Sequence, residues 1–174
     1  MSDSYLLRSL TSAHRGPVHE LLCVPDVYRY LVDGAPPSLS LTEDWISSVT
    51  ESGKPPEGLW GLYQGGASRL LGMTRLSDFS DGAIEISYLL HPDFWGRGLA
   101  TRMAHTLIGV AFSHAAVELV KAGTDEPNKA SVHVMERLGM TFFQEVTYPA
   151  GKGLEYSLRR RDFDKTAIER IVIA

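Results

Sequence analysis

Two glycines one residue apart, Gly96 and Gly98, follow an apolar extended run, Ile84 to Leu90, that breaks at His91-Pro92 before a helical pattern begins. Glycine tolerates positive φ, so backbone N–H groups from Trp95 to Ala100 can turn inward around an anion. Leu99, Ala100, Met103, Ala104, Leu107, Ile108, Ala111 and Phe112 then recur at helical spacing, which sets that anion on a helix N-terminus with its partial positive charge. A phosphate-bearing ligand is the chemistry this predicts. A dinucleotide loop wants G-x-G-x-x-G or A near the start of a βαβ unit. Here Gly96-Arg97-Gly98-Leu99-Ala100-Thr101 ends in Thr and comes after more than half the chain. The Gly-Lys-Ser or Gly-Lys-Thr ending of a nucleoside-triphosphate loop is absent.

The run Trp95-Gly96-Arg97-Gly98-Leu99-Ala100 resembles motif A of the GNAT acetyltransferases, the Q/R-x-x-G-x-G/A loop that binds the pyrophosphate of coenzyme A. Trp replaces the usual Gln or Arg, as in the RimJ/RimL-type branch, which acetylates ribosomal-protein N-termini and has relatives acting on small amines. A second stretch, Asp125 to Ser131 continuing through Val132 to Met140, is similar to the family's Asn-x-x-Ser helix ending in Leu-Gly. With Tyr5 to Leu10 similar to the opening strand, the resemblance runs over most of the chain. It implies an α+β (mixed α/β) GNAT fold over residues 1–174 as one domain: a central mixed, mostly antiparallel sheet with splayed parallel strands, flanked by helices. It also implies acetyl-coenzyme A as co-substrate. The main chain of Tyr88, Leu89 and Leu90 would pair with the pantetheine amides, and Trp95, Gly96, Arg97, Gly98, Leu99, Ala100, Thr101 and Asn128 would complete the cofactor site.

Acetyl transfer from a thioester to an amine needs a neutral amine, a donor for the tetrahedral oxyanion and support for the leaving thiolate. Glu85, a carboxylate in an otherwise apolar strand, is the candidate base, directly or through water; Asp125 and Glu126 are alternatives. The competing reading has Glu85 facing solvent or paired with Arg75. A backbone N–H of the 88–90 segment suffices for the oxyanion. Ser131, three residues after Asn128 in a first helical turn, is the candidate for the thiolate, with helix capping as its other reading. Many GNAT enzymes carry Tyr at the position of Met135, and its absence raises Ser131. Asn128 either bonds pantetheine, caps its helix, or does both. Arg97 and Arg102 flank the loop and can face coenzyme A phosphates or solvent. Tyr28, Tyr30 and Trp45 fall where this family builds its acceptor site with the 148–153 loop, and core packing competes for each.

These groups need a scaffold. Tyr5–Leu10 reads as a strand, Ala13–Cys23 and Val27–Val32 as helices divided by Pro25, and Gly34-Ala35-Pro36-Pro37 as a loop. Thr42 is placed as an N-cap ahead of Trp45, Ile46 and Val49. Leu59–Tyr63 and Ser68–Leu76 read as a hairpin across Gly65-Gly66. Strands 84–90 and 117–122, joined by the long helix, should lie parallel and adjacent. Thr141–Tyr148 and Leu154–Arg160 form an antiparallel pair, and Asp162–Ile173 reads as a terminal helix. With 174 residues, 44% of them hydrophobic, the chain supports one core. Its single cysteine, Cys23, excludes a disulfide framework and reads as a buried small apolar residue with no base beside it in sequence. A formal charge of −4 argues against a nucleic-acid surface and favours a cationic substrate. The six histidines offer no pair at i, i+4, so no metal is expected. No signal peptide or membrane-length apolar run is seen, and a cytoplasmic location is expected.

The expected activity is therefore acetyl-coenzyme-A-dependent N-acetyl transfer to a primary amine by direct attack in a ternary complex, in a monomer or homodimer. The acceptor is a protein N-terminus, polyamine, amino acid or other small amine, with no nucleic-acid or membrane partner. The alternative is a GNAT-fold module that holds acyl-coenzyme A without turnover.

Overall fold

The computed structural model describes residues 4–31, 34–52, 54–149 and 151–174. Within them the strands are β1 (Tyr5–Ser9), β2 (Gly58–Gln64), β3 (Gly72–Ser80), β4 (Ala83–Leu90), β5 (Leu119–Asp125), β6 (Thr141–Tyr148), β7 (Gly151–Arg159) and β8 (Val172–Ile173). The helices are α1 (Arg15–Leu22), α2 (Pro25–Tyr28), α3 (Leu39–Thr50), α4 (Leu99–Ser113) and α5 (Lys129–Arg137). All eight strands form one sheet in the order β6-β7-β5-β4-β3-β2-β1-β8. Pairing is antiparallel except for β4 with β5 and β8 with β1.

Two cores follow from the strand alternation. Ile84, Ile86 and Leu90 of β4 pack with Leu99, Met103 and Leu107 of α4 on one face. Leu59 and Met73 pack with Val18, Ile46 and Val49 of α1 and α3 on the other. Helices α1 and α3 pack on the β1–β3 side, and on the face of β4, β5 and β7 bearing Glu85, Lys121 and Glu155, Glu85 is exposed and the other two are half-buried. Helix α4 is buried nearly all round because the chain after β7 crosses its outer side. There Ile171 is buried, its N–H bonds Thr106 Oγ1 at 3.0 Å, and Arg102 pairs with Glu169 at 3.0 Å. Arg160 donates to the carbonyls of Phe112, His114 and Val117, partners for the end of α4.

Several sequence expectations are corrected. The C-terminal segment is not a helix: a 3₁₀ turn at Arg160–Asp162 leads to β8, with Leu6 opposite Val172 and Leu7 opposite Ile173. An open sheet edge supplies backbone partners that a short, half-apolar helix on the surface does not offset. Ser38, not Thr42, caps α3, its side chain accepting from Leu41 N–H at 3.1 Å, while Thr42 is buried and bonds His19 at 2.9 Å. The second helix is shorter, Pro25–Tyr28 with Pro at its first turn, and Val32 lies outside the described residues. Strand β3 starts at Gly72 rather than Ser68. Cys23 is half-buried rather than buried, and its Sγ lies 3.6 Å from Nε2 of His19, one helical turn earlier. Among the described residues no helix is long and apolar enough to cross a membrane, and no group of His, Cys, Asp and Glu gathers to hold a metal ion.

Candidate active site

Strands β4 and β5 pair only at Ala83–Leu119, Ile84–Val120 and Glu85–Lys121. Beyond Glu85 they part, as expected for the splayed pair, and a cavity of about 690 Å³ opens between Tyr88 to Leu90 on one side and Ala122 to Thr124 on the other. Its mouth is the glycine turn, and α5 forms its far wall through Asn128, Ser131 and Val134. Tyr30 also lines it, whereas Tyr28 does not; Trp45 borders a second, smaller cavity.

The turn is built by backbone conformation. Gly96 and Gly98 have φ of +73° and +71°, and a Cβ at either position would meet nothing within 4 Å. Left-handed φ, not crowding, therefore selects glycine there. Gly98 is also the N-cap of α4, so the N–H groups of Leu99, Ala100 and Thr101 begin the helix at the cavity. The unusual Trp95 has a structural reason: its indole N–H donates to the Leu90 carbonyl at 2.7 Å, tying the turn to the end of β4. Arg97 does not face the cavity; its guanidinium lies over the Phe94 ring at 5.2 Å and donates to the Asp93 carbonyl at 3.3 Å. Arg102 is likewise engaged, by Glu169. Both leave main-chain N–H groups and the helix dipole to meet an anion.

Backbone direction divides the groups of the 88–90 segment, all of which lines the cavity. His91 N–H donates to the Leu71 carbonyl, and the Leu89 carbonyl lies against Gly72, so both point toward β3. Polar groups alternate sides along a strand, which turns those of Tyr88 and Leu90 into the cavity and keeps those of Leu89 in the sheet. The main-chain groups turned away from β3 are thus those of Tyr88 and Leu90, and the Leu90 carbonyl accepts from Trp95.

The side chain of Tyr88, unremarked in the sequence, crosses to α5. Its hydroxyl lies 3.1 Å from both Ser131 Oγ and the Ser131 carbonyl. Burial pushes the Tyr88 pKa up to about 12, against a lowering by the Ser131 hydrogen bond. Asn128 Oδ1 caps the Ser131 N–H at 3.2 Å, so capping falls to Asn128 and the serine hydroxyl is free to face Tyr88. Met135 is fully buried in the core. Alternation could have shown this, since Tyr88 shares its strand face with Ile84 and Ile86, the face that meets α4 and α5.

Glu85 lies on the opposite face, exposed to solvent. Partial desolvation, followed by the charge of Asp78, raises its pKa; Arg75 lowers it, Glu155 raises it and Lys121 lowers it. No ion pair joins Glu85 to a described residue, and Arg75 instead stacks on the Trp45 ring at 4.9 Å. Asp78 is delivered by a bulge between Ser77 and Ser80, with φ of +55°. Tyr148 reaches over Gly123 and Gly153, where a side chain would collide with its hydroxyl and ring. Burial raises its pKa, as do the charges of Glu155, Glu85 and Asp125. Glu126 is held by Lys152 at 3.4 Å, away from Glu85. Asp78 and Glu155 carry no sequence signal, because a bulge and a cross-strand register bring them to this face, whereas Tyr148 begins the 148–153 loop that the resemblance marks.

Glu85 therefore lies on the sheet face opposite the Tyr88–Ser131 pair, at the last register position before β4 and β5 part. The profile of the acetyltransferase (GNAT) domain matches residues 5–141. Among solved structures, the aminoglycoside acetyltransferase AAC(6')-Ib in complex with coenzyme A is similar at a TM-score of 0.78 and 21% identity, over 95% of this chain and 100% of that one. A GNAT-family acetyltransferase from Bacillus anthracis matches at 0.73 and 17%, over 92% and 98%. A third, a putative acetyltransferase from Acinetobacter baylyi ADP1, matches at 0.76 and 21%, over 91% and 93%. At these identities the structural likeness is one of fold.

Proposed function

Because the chain belongs to the GNAT acetyltransferase family, we propose that it transfers the acetyl group of acetyl-coenzyme A to a primary amine in a ternary complex. The observation that carries this reading is the gap itself. A glycine turn at a helix N-terminus stands at its mouth, main chain that β5 leaves unpaired lies along its wall, and the Tyr88–Ser131 hydroxyl pair faces it. The Glu85 carboxylate, with no ion pair among the described residues, lies on the other sheet face where the strands part. Glu85 accepts a proton from the amine, whose nitrogen then attacks the thioester carbonyl. The N–H of Tyr88 or Leu90 stabilises the oxyanion. As the tetrahedral intermediate collapses, its nitrogen gives up a second proton to solvent, the C–S bond breaks, and coenzyme A leaves as a thiolate that is then protonated by water.

Magnitudes fix the role of the hydroxyl pair. A thiol ionises near pH 8.5, whereas the Tyr88 phenol is held at about 12. Full transfer of a proton from phenol to thiolate is uphill by several units. Tyr88 therefore donates to Ser131, and Ser131 donates a hydrogen bond to the sulfur, without a net proton transfer at that step. Ser131→Ala and Tyr88→Phe are each expected to lower kcat about tenfold while acetyl-coenzyme A affinity stays within about twofold, and the double variant should lose little more than either single one. Steady-state kinetics beside calorimetric titration checks this, and additive losses would separate the two residues.

The Trp95 turn and the Asn128–Ser131 helix support placement in the RimJ/RimL-type branch, with a protein N-terminus or a small amine as acceptor. The test is release of free thiol from acetyl-coenzyme A across an amine panel that includes N-terminal peptides, polyamines and amino acids. Turnover with at least one member is expected. Tight cofactor binding with no turnover on any amine would mark the protein as a sensor of acyl-coenzyme A.

A further inference from the structure

The Glu85 face holds a cation that no protein group satisfies. Arg75 stands on β3 opposite Ser87 of β4, two residues from Glu85 on the same face. Its guanidinium lies over the Trp45 ring at 4.9 Å, yet among the described residues it makes no hydrogen bond or ion pair. Its Nε is enclosed without a partner, leaving the two terminal nitrogens as the accessible donors. Burial lowers the Arg75 pKa, and the nearby charges of Asp78, Glu85 and Glu57 oppose that lowering. A planar fork lying over an aromatic face and left without an acceptor is matched by a carboxylate approaching end-on.

We propose that Arg75 anchors a carboxylate of the acceptor, so that the acceptor is a free amino acid or another small amine carrying a carboxylate beside its amine. This rests on the acetyltransferase reading above and narrows its substrate. Arg75 and Glu85 are diagonal neighbours across two strands on one face, a spacing at which both can touch one small molecule, and no ion pair joins them. A zwitterion spans that separation with its charges in the matching order: carboxylate on Arg75, amine on Glu85. A polyamine or a polycationic sugar would instead set a positive charge against the stacked guanidinium. A protein N-terminus offers an amide at that point, which can accept a single hydrogen bond but carries no charge.

The experiment compares the twenty common amino acids with their carboxamides, which keep the amine and side chain and remove the anion. Calorimetric titration of the coenzyme-A-loaded protein measures binding, and thiol release from acetyl-coenzyme A measures turnover. At least one amino acid is expected to bind, and to react in kcat/KM, tenfold or more better than its carboxamide. Arg75→Gln should bring that ratio to about one, and Arg75→Lys should restore part of it. Equal handling of acid and amide by the native protein, or an unchanged ratio in Arg75→Gln, would overturn the anchor while leaving acetyl transfer standing. Discrimination in binding with no thiol release would support the anchor and refute the transferase reading.

Discussion

Glu85→Gln is expected to leave acetyl-coenzyme A binding intact and to lower turnover by about 10²-fold or more at neutral pH. The substitution keeps the shape of the side chain and removes the only atoms on β4 that can take a proton on its face of the sheet. An aliphatic acceptor amine with a pKa of about 10.4 is mostly cationic at neutral pH, so attack waits on that proton. The sign of the pH dependence follows from the environment. Desolvation and Asp78 raise the Glu85 pKa, so the base is present above a pKa higher than that of a free carboxylate and is lost as pH falls through it. The native profile should therefore show an acid limb displaced upward from about 4.3. In Glu85→Gln that limb disappears, and rate recovers toward alkaline pH as the amine loses its proton unaided. Asp78→Asn should shift the native limb downward, because it removes a like charge. Rates measured across pH for the three proteins check this; a native-like profile in Glu85→Gln would assign the base to water or to another carboxylate.

Gly98→Glu is expected to weaken acetyl-coenzyme A binding by about 10²-fold or more while the fold persists. At φ of +71° a non-glycine residue is strained by roughly 1–2 kcal/mol, and a carboxylate there faces the phosphates with like charge. Gly98→Ala separates the two effects, since it introduces the strain and no charge, and should cost about tenfold. Calorimetry gives the affinities, and circular dichroism with thermal melting checks the fold. Unchanged affinity in Gly98→Glu would move the phosphate site away from the turn.

Much of this arrangement is written locally in the chain. The β4–α4–β5 unit is legible because Ile84 and Ile86 alternate at a period of two and Leu99, Met103 and Leu107 recur at helical spacing, with glycines marking the junction. The Asn128 helix is legible from its cap and from Leu138-Gly139 at its end. What escaped depends on tertiary partners. The segment after Asp162 has apolar residues at helical intervals, but the edge of β1 and the Thr106 hydroxyl give Ile171 to Ile173 better partners than solvent would. Thr42 looks like a cap until the helix is seen to begin a turn earlier, at Ser38. Arg102 faces a carboxylate 67 residues away in sequence, a distance over which no periodicity speaks. In the site, the residues at the turn and on α5 and the carboxylate of Glu85 are readable, and the way the Glu85 face is assembled is not. Arg75, Asp78, Tyr148 and Glu155 come from three strands and meet through register and a bulge.

The three tryptophans occupy positions that divide the molecule optically. Trp95 is 52% exposed at the mouth of the cavity, Trp45 lies under the Arg75 guanidinium, and Trp60 is packed against the main core. On the proposed reading one indole reports on the cofactor end of the gap and one on the Glu85 face, and the third, packed against the main core, supplies the background. Emission from a Trp45→Phe protein follows coenzyme A alone, and emission from a Trp95→Phe protein follows the amine. The order in which the two ligands assemble can then be read in stopped flow from the chain's own chromophores, with no label attached.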